Sequence, residues 1–153
     1  MLYKKIRNIT CFSVFFLLLL SLTSCSFGKS DLEKNGLKYK NESLDFEITL
    51  PANFEKRITQ RKEGEGYVDI EFFVPTSDRS HEFEVKSYAK PMYIRVFKDI
   101  KESDFTEKID FEILESGNKN VYAVKFWDYT PEDWQDKWSE DIEKDIINSF
   151  KLK

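Results

Sequence analysis

Three observations predict an α+β fold, a mostly antiparallel sheet with an amphipathic helix covering one face. Apolar and polar residues alternate with period two in several runs. Two of the junctions between such runs carry hairpin signals. Beyond Thr130 the apolar spacing changes to every fourth residue, the signature of a helix face rather than a strand.

The elements follow in chain order. Leu37–Lys40 precedes the turn residues Asn41-Glu42-Ser43. Beyond them Leu44, Phe46, Ile48 and Leu50 alternate with Asp45, Glu47 and Thr49 up to Pro51. This reads as a hairpin whose second strand is half-buried. Residues 52–62 show no clear period. Val68, Ile70, Phe72 and Val74 then alternate with Asp69, Glu71 and Phe73, a strand closed by Pro75. Asp69 and Glu71 are accordingly expected on its solvent side. Phe83 and Val85 alternate with Glu82, Glu84 and Lys86, and Met92, Ile94 and Val96 lie beyond Pro91, which predicts two more strands. Residues 99–108 are charged and compatible with a short helix. Ile109, Phe111 and Ile113 face Tyr122, Val124 and Phe126 across Ser116-Gly117-Asn118-Lys119-Asn120, a second hairpin.

At the C-terminal end Thr130 reads as an N-cap, Pro131 as the first helical residue, and Glu132 and Asp133 as carboxylates at the positive helix end. Trp134, Trp138, Ile142 and Ile146 recur at helical spacing, so a continuous helix from residue 131 is expected. Asp133–Lys137 and Glu140–Lys144 would be i,i+4 pairs on its outer side.

The first 25 residues determine the address. Lys4, Lys5 and Arg7 precede an almost unbroken apolar run, Ile9–Leu22, of 14 residues. That is short of the roughly 20 needed to span a bilayer and fits the layout of a secretory signal. The run ends in Leu22-Thr23-Ser24-Cys25, which resembles the lipobox of bacterial lipoproteins. The resemblance implies a diacylglyceryl group on the Cys25 thiol and cleavage just before it. The expected organisation is a signal peptide at 1–24, a lipidated tether at 25–36 and one domain at 37–153, anchored in the bacterial cell membrane or the outer membrane and facing away from the cytoplasm. Without the leader the chain carries 21 basic against 28 acidic residues, a formal charge near −7. An acidic domain argues against nucleic acid as a partner. Cys11 leaves with the leader and Cys25 is taken by lipid, so no thiol pair remains for a disulfide or a zinc site.

Several runs inside residues 37–153 resemble one family. Tyr39-Lys-Asn41 with Leu44–Pro51, Glu65-Gly66-Tyr67, the hairpin from Phe111–Leu114 to Val121–Phe126, and Ile146–Phe150 are similar to PsbP-like (Mog/PsbP/DcrB-type) domains. The resemblance implies an α/β/α sandwich around an antiparallel sheet, no shared catalytic site, and binding of another protein.

Candidate sites are sparse, and no catalytic, metal or cofactor site is expected. His81, the single histidine, sits at a turn beside Ser80 and Glu82 without a second His or Cys. Glu63, Glu65, Asp69 and Glu71 could serve a metal-binding, ligand-binding or hydrolytic lipoprotein, but a solvated face is the plainer account. Gly64 and Gly66 lack the pattern of a phosphate-binding turn. Lys56, Arg57, Arg61 and Lys62 form a basic cluster suited to anionic head groups or an acidic partner. Trp127 and Tyr129, at the strand-to-helix corner, are expected to form an exposed recognition edge, whereas Trp134 and Trp138 share a stripe with Ile142 and Ile146 and are expected in the core. The function this supports is a non-enzymatic, lipid-anchored accessory module of the cell envelope that binds another envelope protein and meets the membrane through Cys25.

Overall fold

The computed structural model describes residues 32, 35–81, 84–100, 110–117 and 119–153. The expected leader, Cys25, the 99–108 helix expectation beyond residue 100, and residues Glu82, Phe83 and Ile109 therefore lie outside the described residues. The fold is α+β, with eight strands in two antiparallel sheets among the described residues. Strands β1 (Leu37–Asn41), β2 (Phe46–Leu50) and β8 (Lys151–Leu152) form a small sheet in the order β1-β2-β8. Strands β3 (Ile58–Gly64), β4 (Tyr67–Pro75), β5 (Tyr88–Lys98), β6 (Glu112–Ser116) and β7 (Asn120–Phe126) form a larger one in the order β3-β4-β5-β7-β6. Helix α1 (Glu140–Ser149) precedes β8, and short 3-10 segments cover Ala52–Phe54 and Glu132–Lys137.

Local chemistry accounts for the turns. Asn41 Oδ1 accepts from the Leu44 amide at 3.1 Å and the Ser43 hydroxyl at 3.0 Å, closing the first hairpin. Gly66, at φ 73°, supplies the left-handed residue of the two-residue β3–β4 turn. Strand β3 itself was not foreseen, because it is an edge strand of mixed charge, exposed along most of its length, and leaves no period to read.

Two expected boundaries change. Residues 84–87 are bend and turn rather than strand, and β5 instead runs through Pro91 as one strand of 11 residues. Proline lacks the amide a sheet ladder needs, and the pairing of β4 with β5 shifts register here, between Phe72–Met92 and Val74–Ala89. The expected continuous C-terminal helix is broken. Trp138 is extended (φ −133°, ψ 142°), and Ser139 caps α1 by accepting from the Ile142 amide. Asp133, read as the partner of Lys137, instead accepts from Thr76 Oγ1 at 2.6 Å and the Ser77 amide at 3.0 Å. These tertiary bonds tie the first turn to the end of β4. Glu140 and Lys144 do meet, at 4.0 Å.

The main core lies between one face of the larger sheet and a lid made by β2, α1 and the tryptophan segment. Phe46, Ile48 and Leu50 of β2 face Val68, Ile70, Phe72 and Val74 of β4 and Met92, Ile94 and Val96 of β5. Ser149 Oγ ties α1 to β2 through the Thr49 amide at 2.9 Å. Leu32 also packs into this core, upstream of the Leu37 boundary and inside the stretch read as tether.

Candidate functional site

The larger sheet has a second face, and the strand period dictates what stands on it. Between the core residues of β4 lie Asp69, Glu71 and Phe73, and between those of β5 lie Tyr93, Arg95 and Phe97. Asp69 pairs directly with Arg95, and Glu71 with Tyr93, across the β4–β5 ladder. The expectation that Asp69 and Glu71 are solvated is corrected: they are 3% and 4% exposed. Both strands lie inside the sheet, so long neighbouring side chains cover this face.

A carboxylate buried alone would be costly, and each one here has a cation. Arg95 donates to both oxygens of Asp69, Nε to Oδ1 and Nη2 to Oδ2, each at 2.7 Å. Its guanidinium lies 3.9 Å from the Tyr67 ring centroid and 5.2 Å from that of Phe111. Tyr67 in turn lies over Gly64, where a Cβ would come within 2.1 Å of the ring. Lys90 binds Glu71 at 3.0 Å and also Glu84, and stands 5.7 Å from the rings of both Phe73 and Tyr93. Burial alone would depress the Lys90 pKa, but its hydrogen bonds to Glu84 and Glu71 outweigh that and raise it. Burial pushes the Tyr93 phenol up.

The carboxylates at 63–71 are therefore not an open set. Glu63 binds Arg61 and approaches Lys98, Asp69 is held by Arg95 and Glu71 by Lys90. Among the described residues no group of three or more His, Cys, Asp or Glu is arranged to hold a metal ion. His81 is half-buried in a bend.

The tryptophan corner is only partly the expected edge. Tyr129 is 83% exposed. Trp127 is corrected to a half-buried position, its ring meeting Trp138 at 5.1 Å and Trp134 at 5.9 Å, both edge-on at 70°. Phe54 stacks on Trp138 at 5.9 Å and meets Trp134 edge-on at 6.0 Å, and those two tryptophans are core residues. Trp134 Nε1 donates to Pro75 O at 2.9 Å, whereas Trp127 Nε1 is buried without a partner.

The basic cluster is also divided. Lys56 borders a shallow cleft of about 270 Å³ with Lys137 and Trp134. Arg57 is half-buried and donates to Phe54 O at 3.3 Å. Arg61 and Lys62 occupy opposite faces of β3, since Arg61 pairs with Ile70 and Lys62 with Asp69. Four cations close in sequence thus make no single patch, because strand alternation and the turn before β3 separate them.

Sequence reasoning did not single out Lys90, Tyr93 and Arg95. Their signal was the interruption of the apolar pattern of β5 by polar residues at the register of the β4 acids, Arg95 opposite Asp69 and Tyr93 opposite Glu71. No protein-family model matches the chain, and neither a curated protein nor a solved structure does.

Proposed function

We propose that the chain is a lipid-anchored lipoprotein of the bacterial cell envelope, a non-enzymatic accessory module that binds another envelope protein. The observation that carries the reading is Leu22-Thr23-Ser24-Cys25, placed directly after a basic segment and a 14-residue apolar run. A diacylated cysteine gives stable anchoring where one acyl chain would not. We infer a PsbP-like sandwich for the domain. Its five-stranded antiparallel sheet, with α1 and the first hairpin on one face, supports that reading. The engagement of the buried acids in ion pairs supports the non-enzymatic reading, since it leaves them as framework rather than as reactants. The surface offered to a partner is the exposed Tyr129 at the strand-to-helix corner.

The test is expression in a bacterium, followed by intact-mass measurement and membrane fractionation of the wild type and Cys25→Ala. The expected result is a membrane-bound wild type with a lipid adduct on an N-terminal Cys25 and an unprocessed or released variant. Cleavage of both chains at the same bond with equal membrane retention overturns it. In-cell crosslinking of the anchored wild type should then capture one envelope protein, and Tyr129→Ala should reduce that capture.

A further inference from the structure

At the end of the molecule opposite the tryptophans, the β1–β2 turn overhangs the larger sheet and leaves a cleft of about 320 Å³. A second cleft of about 330 Å³ joins it along Asp45, Lys119, Asn120 and Tyr122. The wall beneath is tied by hydrogen bonds. Tyr122 donates its hydroxyl to Leu44 O at 3.0 Å, the Lys98 amide donates to Gly66 O at 2.9 Å, and the Ile100 amide to Lys119 O at 3.2 Å.

The chain as a whole is acidic, with a formal charge of −4, but this cleft is not. Arg61 from β3, Lys98 from the end of β5 and Lys119 from the turn before β7 line it, against Asp45 and Asp99. Arg61 is held for anion recognition. Its Nη1 donates to Ser43 Oγ at 2.8 Å, while Nε and Nη2 donate to Glu63 Oε1 at 2.9 and 2.6 Å. The other Glu63 oxygen lies 3.7 Å from Lys98 Nζ. Glu63 thus sets one carboxylate between two cations, the arrangement an external oxyanion would need. Its side chain is 60% exposed and free to turn outward, and a surface ion pair of this kind is weak enough to exchange.

We propose that this cleft binds a phosphate group, which takes the place of the Glu63 carboxylate between Arg61 and Lys98. A guanidinium fork presents parallel donors that match phosphate oxygens, and an ammonium adds charge without directional demand. Lys119 supplies a third cation and Asn120 a neutral side-chain amide, while the Ser43 hydroxyl, already donating to Asn41 Oδ1, holds Arg61 in place. Asp45 and Asp99 would repel a bare polyanion but accept hydrogen bonds from hydroxyl or ammonium groups. The ligand class is therefore a phosphoester of a small polyol or amine, supplied either as a soluble molecule or as a lipid head group. The inference goes beyond the accessory reading and is independent of it, since none of these residues takes part in anchoring.

The experiment uses the full chain in a neutral maltoside detergent, followed by amide chemical shifts. One arm titrates glycerol 3-phosphate, and a second adds nanodiscs of phosphatidylglycerol, with phosphatidylcholine nanodiscs as reference. Saturable shifts confined to residues 43–45, 61–63, 98–100 and 119–120 are expected in at least one arm, and that arm identifies the source. Lys98→Gln and Lys119→Gln should each weaken binding by about tenfold, as loss of a charge-assisted contact does. Glu63→Gln should tighten it several-fold, and Lys144→Gln on α1 should leave it unchanged. Circular dichroism melts confirm that each variant is folded. Absence of saturable shifts in both arms overturns the proposal. So do shifts that Lys98→Gln and Lys144→Gln alter equally, because these report general attraction to cationic side chains.

Discussion

The two faces of the five-stranded sheet are built from alternate residues of the same strands and reach burial by different means. On the inner face Val68, Ile70, Phe72, Met92, Ile94 and Val96 are all 1% exposed or less, and they have no polar side-chain atoms to satisfy. On the outer face Asp69 and Glu71 are nearly as buried, but each requires a cation and a cover of rings. Dispersion and water exclusion stabilise the first face whatever the exact neighbours, whereas the second holds only while every charge keeps its partner. The inner face therefore supplies stability, and the outer face adds a strong condition on register.

Substitutions can separate these two kinds of burial. Phe72→Ala removes a ring with no exposed surface and should cost about 4 kcal/mol in urea unfolding, the usual range for a large-to-small core change. Asp69→Ala strands Arg95 and should cost about 3 kcal/mol. The double variant Asp69→Leu with Arg95→Met should recover most of that loss. A double variant as unstable as Asp69→Ala would mean that the ion pair itself stabilises the fold. Gly64→Ala drives a Cβ into the Tyr67 ring and should cost about 2 kcal/mol by overpacking, with disturbance of the Arg95 stack visible in ring-current shifts. Ser139→Ala lies away from both faces and should cost about 1 kcal/mol through loss of the α1 cap.

The pH dependence adds a smaller contrast. The Asp78 carboxylate accepts from the Ser80 hydroxyl, the Glu132 amide and the Ser80 amide, which lowers its pKa from the ordinary 3.8 to about 2. A folded pKa below the unfolded one means stability present above pH 3.8 and lost as pH falls toward 2. Asp78→Asn should flatten the acid limb of a melting-temperature profile in that window. Glu143 works in the opposite sense. Burial raises its pKa above 4.5 despite the bond from Trp138 Nε1, so its contribution is present below 4.5 and lost as pH rises through the folded value. At the alkaline end the raised Lys90 pKa gives a contribution present below 10.5 and lost above it. Lys90→Met should remove that alkaline dependence.

Particular residues show where sequence reading stops. Asp69 and Glu71 carry the period of an exposed face, and period two does assign them to the side opposite Val68 and Ile70. It does not say whether that side is wet, because Arg95 and Tyr67 are brought over it by pairing between strands 26 positions apart or by a turn. Trp134 and Trp138 were legible as core residues from their spacing with Ile142 and Ile146. The break at Ser139 was not, because Asp133 reaches Thr76 and Ser77 only once β4 has been placed.

The sequence by itself carries the expectation of a leader ending at Cys25, and it determined the two hairpins, the period of β4 and the aromatic core of the C-terminal segment. These are local matters: hydrophobic run length, turn chemistry and the strand or helix period act among neighbours in the chain. Tertiary structure alone decided that the strands divide into two sheets, that β5 runs through Pro91, and that the acids of β4 are buried in ion pairs. It also decided that Ser43, Arg61, Lys98 and Lys119 share one cleft. Each of these depends on register between distant strands, and pairing energy is spread over whole ladders rather than carried by any short motif.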